Sequence, residues 1–203
     1  ALLRLAGGIA ENPEVIESAS TPLETYLQNR NRLDSHLAGS VVELAARHGN
    51  KARFELYLEP MRGAATPQAR TRFLFALGAF RDPALYSRTR DLCLADDIPP
   101  QDVVPLLGRL LENPAAREAS WAFIQARWSE LAPRISPGLA SRLVAALPAL
   151  GGRHYRREGA AFIRAHPLPT AARALKQALE RFDLDAEFQK RCGPALGRWL
   201  RRG

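Results

Sequence analysis

Valine and isoleucine together supply only twelve of the 203 residues, while alanine and leucine dominate. Sheets pack with β-branched side chains, so this scarcity leaves strands little to build on and predicts an all-α chain. Cysteine is nearly absent. Cys93 and Cys192 stand far apart in apolar or helical surroundings, which excludes a metal-binding pair by local spacing and reads both as small buried hydrophobes. No run approaches the roughly eighteen uncharged apolar residues of a membrane helix. The opening "ALLRLAGGIAEN" breaks into glycines and a glutamate before a signal-peptide core develops. No membrane segment and no targeting signal are therefore read, and the compartment stays unknown.

Catalytic constellations are missing as well. His36, His48, His154 and His166 are scattered and none begins an H-E-x-x-H pair, so a helical zinc site has no ligands here. Gly7-Gly8 and Gly151-Gly152 lack the flanking strand and the Lys-Ser/Thr of a phosphate loop and read as helix breaks. No serine sits in a G-x-S-x-G elbow, and neither cysteine has a histidine near it in sequence. Asp96-Asp97, before Ile98-Pro99-Pro100, reads as a solvated pair in a turn between helices. The expectation is a chain with no catalytic residue, no metal ligand and no cofactor of its own.

Acidic residues are scarce at one end only. Of the net charge of +8, residues 1–149 hold 17 basic and 16 acidic side chains and residues 150–203 hold 12 and 5. Arginine outnumbers lysine 26 to 3, which coding bias explains as easily as selection for bidentate phosphate contacts. The C-terminal arginines are spread over several helices and interrupted by Glu158, Glu180, Asp183 and Glu187, so no nucleic-acid partner is expected.

Helix starts are plentiful. Asn12-Pro13, Thr21-Pro22, Thr66-Pro67, Asp82-Pro83, Asn113-Pro114 and Ser136-Pro137 each place a side-chain acceptor at the N-cap and a proline at N1, where its missing N–H costs nothing. "TPLE" adds Glu24 at N3 as a capping box. Helices are predicted near 2–11, 13–19, 22–33, 35–48, 50–62, 67–79, 83–95, 100–112, 114–132, 137–147, 153–165, 168–182 and 184–201. Short helices joined by short turns predict a right-handed α–α superhelix of the HEAT or armadillo kind, with about 11–13 helices in a single domain over residues 1–203. A compact bundle is the other architecture open to such a chain. In "LLENPAAREASWAFIQARW", Trp121, Ile124, Trp128 and Leu131 form one helical stripe with Arg117, Glu118, Gln125, Arg127 and Glu130 mostly elsewhere, which reads the tryptophans as core. Phe73, Leu74, Leu77 and Phe80 read the same way.

The ordered series "PPQD", "LLENPAAREASWAFIQARWSEL", "AAFIRAHPLPTAARALKQALERF" and "LGRWL" resembles the C-terminal helical domain of zinc aminopeptidases of the aminopeptidase N type, the group with the endoplasmic-reticulum and puromycin-sensitive enzymes. The matching positions are Gln101, Asp102, Asn113, Trp121, Phe123, Trp128, Phe162, Gln177 and Glu180, with Asp82-Pro83 and Leu85 upstream, and the resemblance runs from about Leu33 to Leu200. It implies a fragment, consistent with a start at Ala1. The chemistry of such enzymes lies upstream, in a domain with H-E-x-x-H, a glutamate zinc ligand, a G-x-M-E-N segment and a tyrosine. None of these is here, and the one methionine, Met61, sits in "EPMRG".

The resemblance implies a non-catalytic domain that caps the active-site chamber and limits or positions peptide substrates. Its partners would be the upstream catalytic domain of the same parent chain, where the zinc would reside, and the peptides themselves. Arg153, Arg156 and Arg157 are the candidates to hold a peptide carboxylate, and Gln101 and Asp102 the candidates to line the same cavity, although Asp102 also simply suits a helix N-terminus. Two readings compete: a free-standing helical-repeat adaptor for a protein partner, and a nucleic-acid binder favoured only by Arg153, Arg156, Arg157 and the closing "RWLRRG".

Overall fold

A computed structural model describes residues 3–64, 66–168 and 170–201. Residue 2 of the first predicted helix, residue 169 of the twelfth, and Arg202 and Gly203 of "RWLRRG" lie outside them. Among the described residues there are helices and turns and no strand, so the all-α class holds. The chain gathers into two compact units, Ala1–Asp96 with Asn113–Ala116, and Asp97–Glu112 with Arg117–Gly203.

The first unit opens with a wide π-type turn, Arg4–Ile9. Six helices follow: α1 (Pro13–Ser18), α2 (Ser20–Gln28), α3 (Ser35–Arg47), α4 (Lys51–Gly63), α5 (Pro67–Leu77) and α6 (Pro83–Leu92). Asn12, Thr66 and Asp82 cap as their residue types predict, accepting from the backbone N–H of Val15 at 3.1 Å, Ala69 at 3.2 Å and Ala84 at 2.8 Å. Thr21 does not cap, because Ala19 stays helical (φ −75°, ψ −14°) and α2 begins at Ser20. Asp34 and Asn50 cap α3 and α4 without a following proline. α4 and α5 pack on each other, and α3 packs on α2 and α5. Their shared interior is a chain of rings: Tyr57 meets Phe73 edge-on at 5.2 Å and Phe80 at 6.0 Å, Phe54 meets Phe80 at 5.2 Å, and Tyr26 stacks on Phe73 at 6.0 Å. Gly49, just past α3, is required there: a Cβ would stand 2.8 Å from both the Ala45 carbonyl and the Phe80 ring.

The second unit holds α7 (Pro100–Glu112), α8 (Arg117–Ala126), α9 (Trp128–Leu131), α10 (Pro137–Ala146), α11 (Gly152–Ala165) and α12 (Ala172–Leu200). α7 packs on α8 and α10, and α12 packs on α10 and α11. The 3-10 turn Leu147–Leu150 touches α7, α8, α11 and α12, with Leu147 and Leu150 buried among them. Gly151 and Gly152, both at φ +70°, turn the chain from it into α11, a conformation open to glycine. Ser136 precedes α10 without a side-chain cap.

The helix expected over 22–33 runs from Ser20 to Gln28 and stops where Asn29 is extended (φ −149°, ψ 106°), and two further predicted helices change. The helix expected over 114–132 breaks at Arg127 (φ −109°, ψ 23°). The stripe survives the break, with Trp121, Ile124, Trp128 and Leu131 all buried. The two helices expected over 168–182 and 184–201 are one, the 29-residue α12. Nothing between Phe182 and Ala186 stops a helix, and the Arg181–Asp185 pair (2.9 Å, i,i+4) spans the expected junction. The total is twelve α-helices among the described residues, and their sequential pairing within each unit is compatible with an α–α superhelix.

Candidate functional site

All five residues singled out by sequence fall in the second unit, on two helices. Gln101 and Asp102 occupy the first turn of α7, where Gln101 is exposed and Asp102 is buried. A carboxylate in that position faces the positive end of the helix dipole. Arg153, Arg156 and Arg157 follow at i, i+3 and i+4 on α11 and so share one side of it. α7 and α11 are not among the principal packed pairs of the unit; the turn Leu147–Leu150 touches both.

The arginines differ in their engagements. Arg156, half-buried, donates to Asp183 of α12 at 2.8 Å. Arg153 is exposed and reaches Glu187 of α12 at 3.9 Å, a loose pair of the kind worth little in water. Arg157 is exposed and makes no ion pair among the described residues. Chemically, Arg156 ties α11 to α12, whereas Arg157 and, more weakly, Arg153 are open to an anion.

Next to this row lies a network that sequence reasoning missed. The indole N–H of Trp121 donates to Glu158 at 3.1 Å, and the same carboxylate meets His154 at 3.0 Å. Tyr155 has its hydroxyl pKa raised by burial first and by the Glu118 and Glu158 charges second. Trp121 and Trp128 both abut the Phe162 ring, at 5.2 and 5.1 Å, and Phe162 lies 4.4 Å from His166. The only sequence signal for the network was one turn: Glu158 stands four residues after His154.

Asn113 is a buried polar residue with a visible purpose, as is Thr89, whose hydroxyl donates to the carbonyls of Leu77 and Leu85 at 3.2 and 3.1 Å. The Asn113 amide donates to the carbonyls of Gly78 and Phe80 at 2.9 and 2.8 Å, and its oxygen accepts from the Ala115 N–H at 3.1 Å. One side chain thus caps the end of α5 and turns the chain toward α8. Of the positions that carried the resemblance, Leu85, Asp102, Asn113, Trp121, Trp128 and Phe162 are buried, whereas Gln101, Gln177 and Glu180 are exposed.

The family model of the ERAP1-like C-terminal domain matches residues 1–184. The chain belongs to this family. The match begins earlier than Leu33 and ends well before Leu200, so the last turns of α12 lie beyond it. Aminopeptidase M1 of Arabidopsis thaliana is 25% identical over 182 residues, 86% of this chain and 20% of that protein. Probable aminopeptidase 2 of Sulfurisphaera tokodaii is 30% identical over 112 residues, covering 55% of this chain and 14% of that protein. Aminopeptidase M1-C of Oryza sativa subsp. japonica is 24% identical over 141 residues, 68% of this chain and 16% of that protein. The chain therefore spans a fifth or less of the length of these relatives.

Surface hollows lie in both units. In the first unit, a cleft of about 290 Å³ between α4 and α6 is lined by Phe54, Leu58, Arg88 and Asp91. Arg88 closes its edge, lying 4.7 Å over the Phe54 ring while pairing with Glu55. In the second unit a hollow of about 490 Å³ lies along α12 between Arg181 and Arg191. No described helix of this ERAP1-like domain is long and apolar enough to cross a membrane.

Proposed function

We propose that this ERAP1-like domain is the single, non-catalytic C-terminal domain of a longer zinc aminopeptidase, capping the active-site chamber and limiting or positioning its peptide substrates. The observation that carries the reading is the family membership joined to the coverage: the relatives named aminopeptidases are at least five times as long as the stretch they share with this chain. Zinc belongs to the upstream domain in this reading. Among the described residues no three His, Cys, Asp or Glu side chains gather, so the donor set here does not fit the metal and no step of peptide hydrolysis is assigned to this chain.

The peptide's carboxyl end is then the group this domain can read. Arginine's planar fork pairs bidentately with a carboxylate, and Arg157, exposed and without an acidic partner, is the first choice, followed by Arg153. Arg156 is committed to Asp183 and serves as the positioning residue between α11 and α12. Gln101 is an exposed hydrogen-bonding group in the first turn of α7, followed by buried Asp102.

The test is made in the full-length parent, whose gene should encode H-E-x-x-H upstream of Ala1. Arg157→Ala should lower kcat/KM for long peptides by about tenfold (~1.4 kcal/mol) more than for a single aminoacyl-amide, which is too short to reach this domain. Equal losses on both substrates would remove the carboxylate-holding role and leave the domain a support for the catalytic fold. A gene without the upstream zinc helix would favour the free-standing adaptor.

A further inference from the structure

The buried residues of α12, Ala174, Ala178 and Phe182, and its ties to α11, Arg156–Asp183 and Arg153–Glu187, all come before Phe188. Residues 188–201 lie beyond the family match and are exposed, apart from half-buried Cys192 and Gly197. Phe188, Leu196, Trp199 and Leu200 are nonetheless 56–68% exposed large apolar side chains, gathered on under four turns of one helix. Single exposed leucines are ordinary, but such a gathering is the mark of a contact surface.

Charge and apolarity are sorted to opposite sides of this stretch. At ~100° per residue, Phe188, Cys192, Leu196, Trp199 and Leu200 cover about 120° of the circumference, with Gln189 the one polar residue in that arc. Lys190, Arg191, Arg198 and Arg201 cover about 100° centred nearly opposite. Residues 188–201 contain no aspartate or glutamate. The acids just before them are answered: Asp183 by Arg156 at 2.8 Å, Asp185 by Arg181 at 2.9 Å and Glu187, loosely, by Arg153 at 3.9 Å.

This sorting distinguishes between possible covers. A protein groove closing over the apolar arc would leave the four cations on the far side in water, where they contribute little. A lipid surface engages both sides at once. The apolar arc sinks toward the acyl chains, while the long lysine and arginine stems bend back to bring their charges onto the headgroup phosphates. Trp199, an apolar ring with a polar N–H between Arg198 and Arg201, suits the headgroup level. Cations without a single acid among them select an anionic surface over a neutral one.

We propose that residues 188–201 form a peripheral membrane-binding helix that lies along an anionic lipid surface, with Phe188, Cys192, Leu196, Trp199 and Leu200 immersed and Lys190, Arg191, Arg198 and Arg201 on the phosphates. The stretch is about 21 Å long and carries four charges, so it rests on the bilayer and does not cross it. Each cation near such a surface strengthens binding about fivefold.

The test is co-sedimentation of the 203-residue chain with phosphatidylcholine–phosphatidylserine vesicles and with phosphatidylcholine vesicles. The anionic vesicles should bind at least about tenfold more tightly, and added salt should weaken them. Tryptophan emission should shift to the blue on binding through Trp199, since Trp121 and Trp128 are buried throughout, and Trp199→Phe should lose the shift and keep most of the binding. Leu196→Glu should weaken binding more than about tenfold with an unchanged melting point, because the side chain is already exposed. Arg191→Gln with Arg198→Gln should cost about twentyfold, whereas Arg164→Gln with Arg173→Gln, an exposed pair outside the stretch, should cost under about twofold. A chain that does not sediment with the anionic vesicles overturns the proposal, including one that binds calcium-loaded calmodulin, an acidic groove protein, instead. Equal affinity for the two vesicles, an emission that does not move, or equal losses from the two arginine pairs also overturns it.

Discussion

The two units bury their aromatic residues differently. In the first, Tyr26, Phe54, Tyr57, Phe73 and Phe80 are at most 1% exposed, and their polar tips are answered inside the unit. The Tyr57 hydroxyl donates to the Val42 carbonyl at 3.0 Å, and its burial pushes its pKa well above the usual tyrosine range. The Tyr26 hydroxyl accepts from Arg72, whose guanidinium also lies 5.4 Å over the Tyr26 ring. In the second, Trp121, Trp128 and Phe162 sit at the margin of the core, next to Glu158, His154 and His166, and the last helix leaves an apolar row in the open. A sealed core spends its side chains on stability. A marginal one leaves titratable and apolar groups at the surface, where recognition happens, and it is there that the candidate arginines fall.

Core truncation gives the largest expected effect and breaks the comparison if it fails. Phe73→Ala and Trp121→Ala should each cost about 3–5 kcal/mol in denaturant unfolding, because both open cavities in packed interiors. Trp121→Ala also leaves Glu158 without its indole donor, so Trp121→Phe should cost less than alanine yet more than zero. A loss under about 1 kcal/mol for Trp121→Ala would mean that the margin of the second unit is solvent-like.

Asn113 is the next sharpest probe. Asn113→Ala strips the buried carbonyls of Gly78 and Phe80 of their donor and should destabilise by about 2–3 kcal/mol, read as a shift of the urea midpoint at constant slope. Asn113→Asp should be no rescue, since a carboxylate cannot donate to them.

Smaller is the effect expected at the turn into α11. Gly151→Ala places a side chain at φ +70°, ψ 172°, a region essentially reserved for glycine, with nothing within 4 Å to clash, so the cost is backbone conformation alone, about 2 kcal/mol. A larger loss would show that the turn Leu147–Leu150 must move with it.

Acid gives the smallest and most distributed change. The Glu11 and Glu55 carboxyls of the first unit are held below the usual range, first by hydrogen bonds to Arg81 and Arg88 and then by those charges. In the second unit Glu130 is lowered by Arg127, three residues away on its own segment. A carboxyl lowered on folding stabilises above its unfolded pKa and loses that contribution as pH falls through the folded one. Melting temperature should therefore decline below the ordinary carboxylate range, more in Glu130→Gln than in an Arg81→Gln, Arg88→Gln double variant, which has already lost the two long-range pairs. Equal acid sensitivity of the two would show that these exposed pairs contribute nothing measurable.

Much of this was legible in the residues themselves. The shortage of β-branched residues, the Asn/Thr/Asp-Pro starts and the 121-124-128-131 stripe are local facts, fixed by propensity, capping chemistry and helical period, and they predicted the helices and buried tryptophans that are observed. The family was legible from an ordered series of short local matches, of which Asn113, Trp121, Trp128 and Phe162 are buried and Gln101, Gln177 and Glu180 exposed. The continuity of α12 was legible in part, because nothing between Phe182 and Ala186 stops a helix and the Arg181–Asp185 pair is local, whereas the tie from Arg156 to Asp183 comes from another helix. The separation of the arginines was hidden for the same reason: Arg153, Arg156 and Arg157 are alike in sequence, and only the placement of Asp183 and Glu187 on the facing helix decides which is tied and which is open. Local interactions are written in neighbouring letters, whereas partners 27 to 37 residues apart, such as Arg156 with Asp183 or Trp121 with Glu158, are chosen by packing alone.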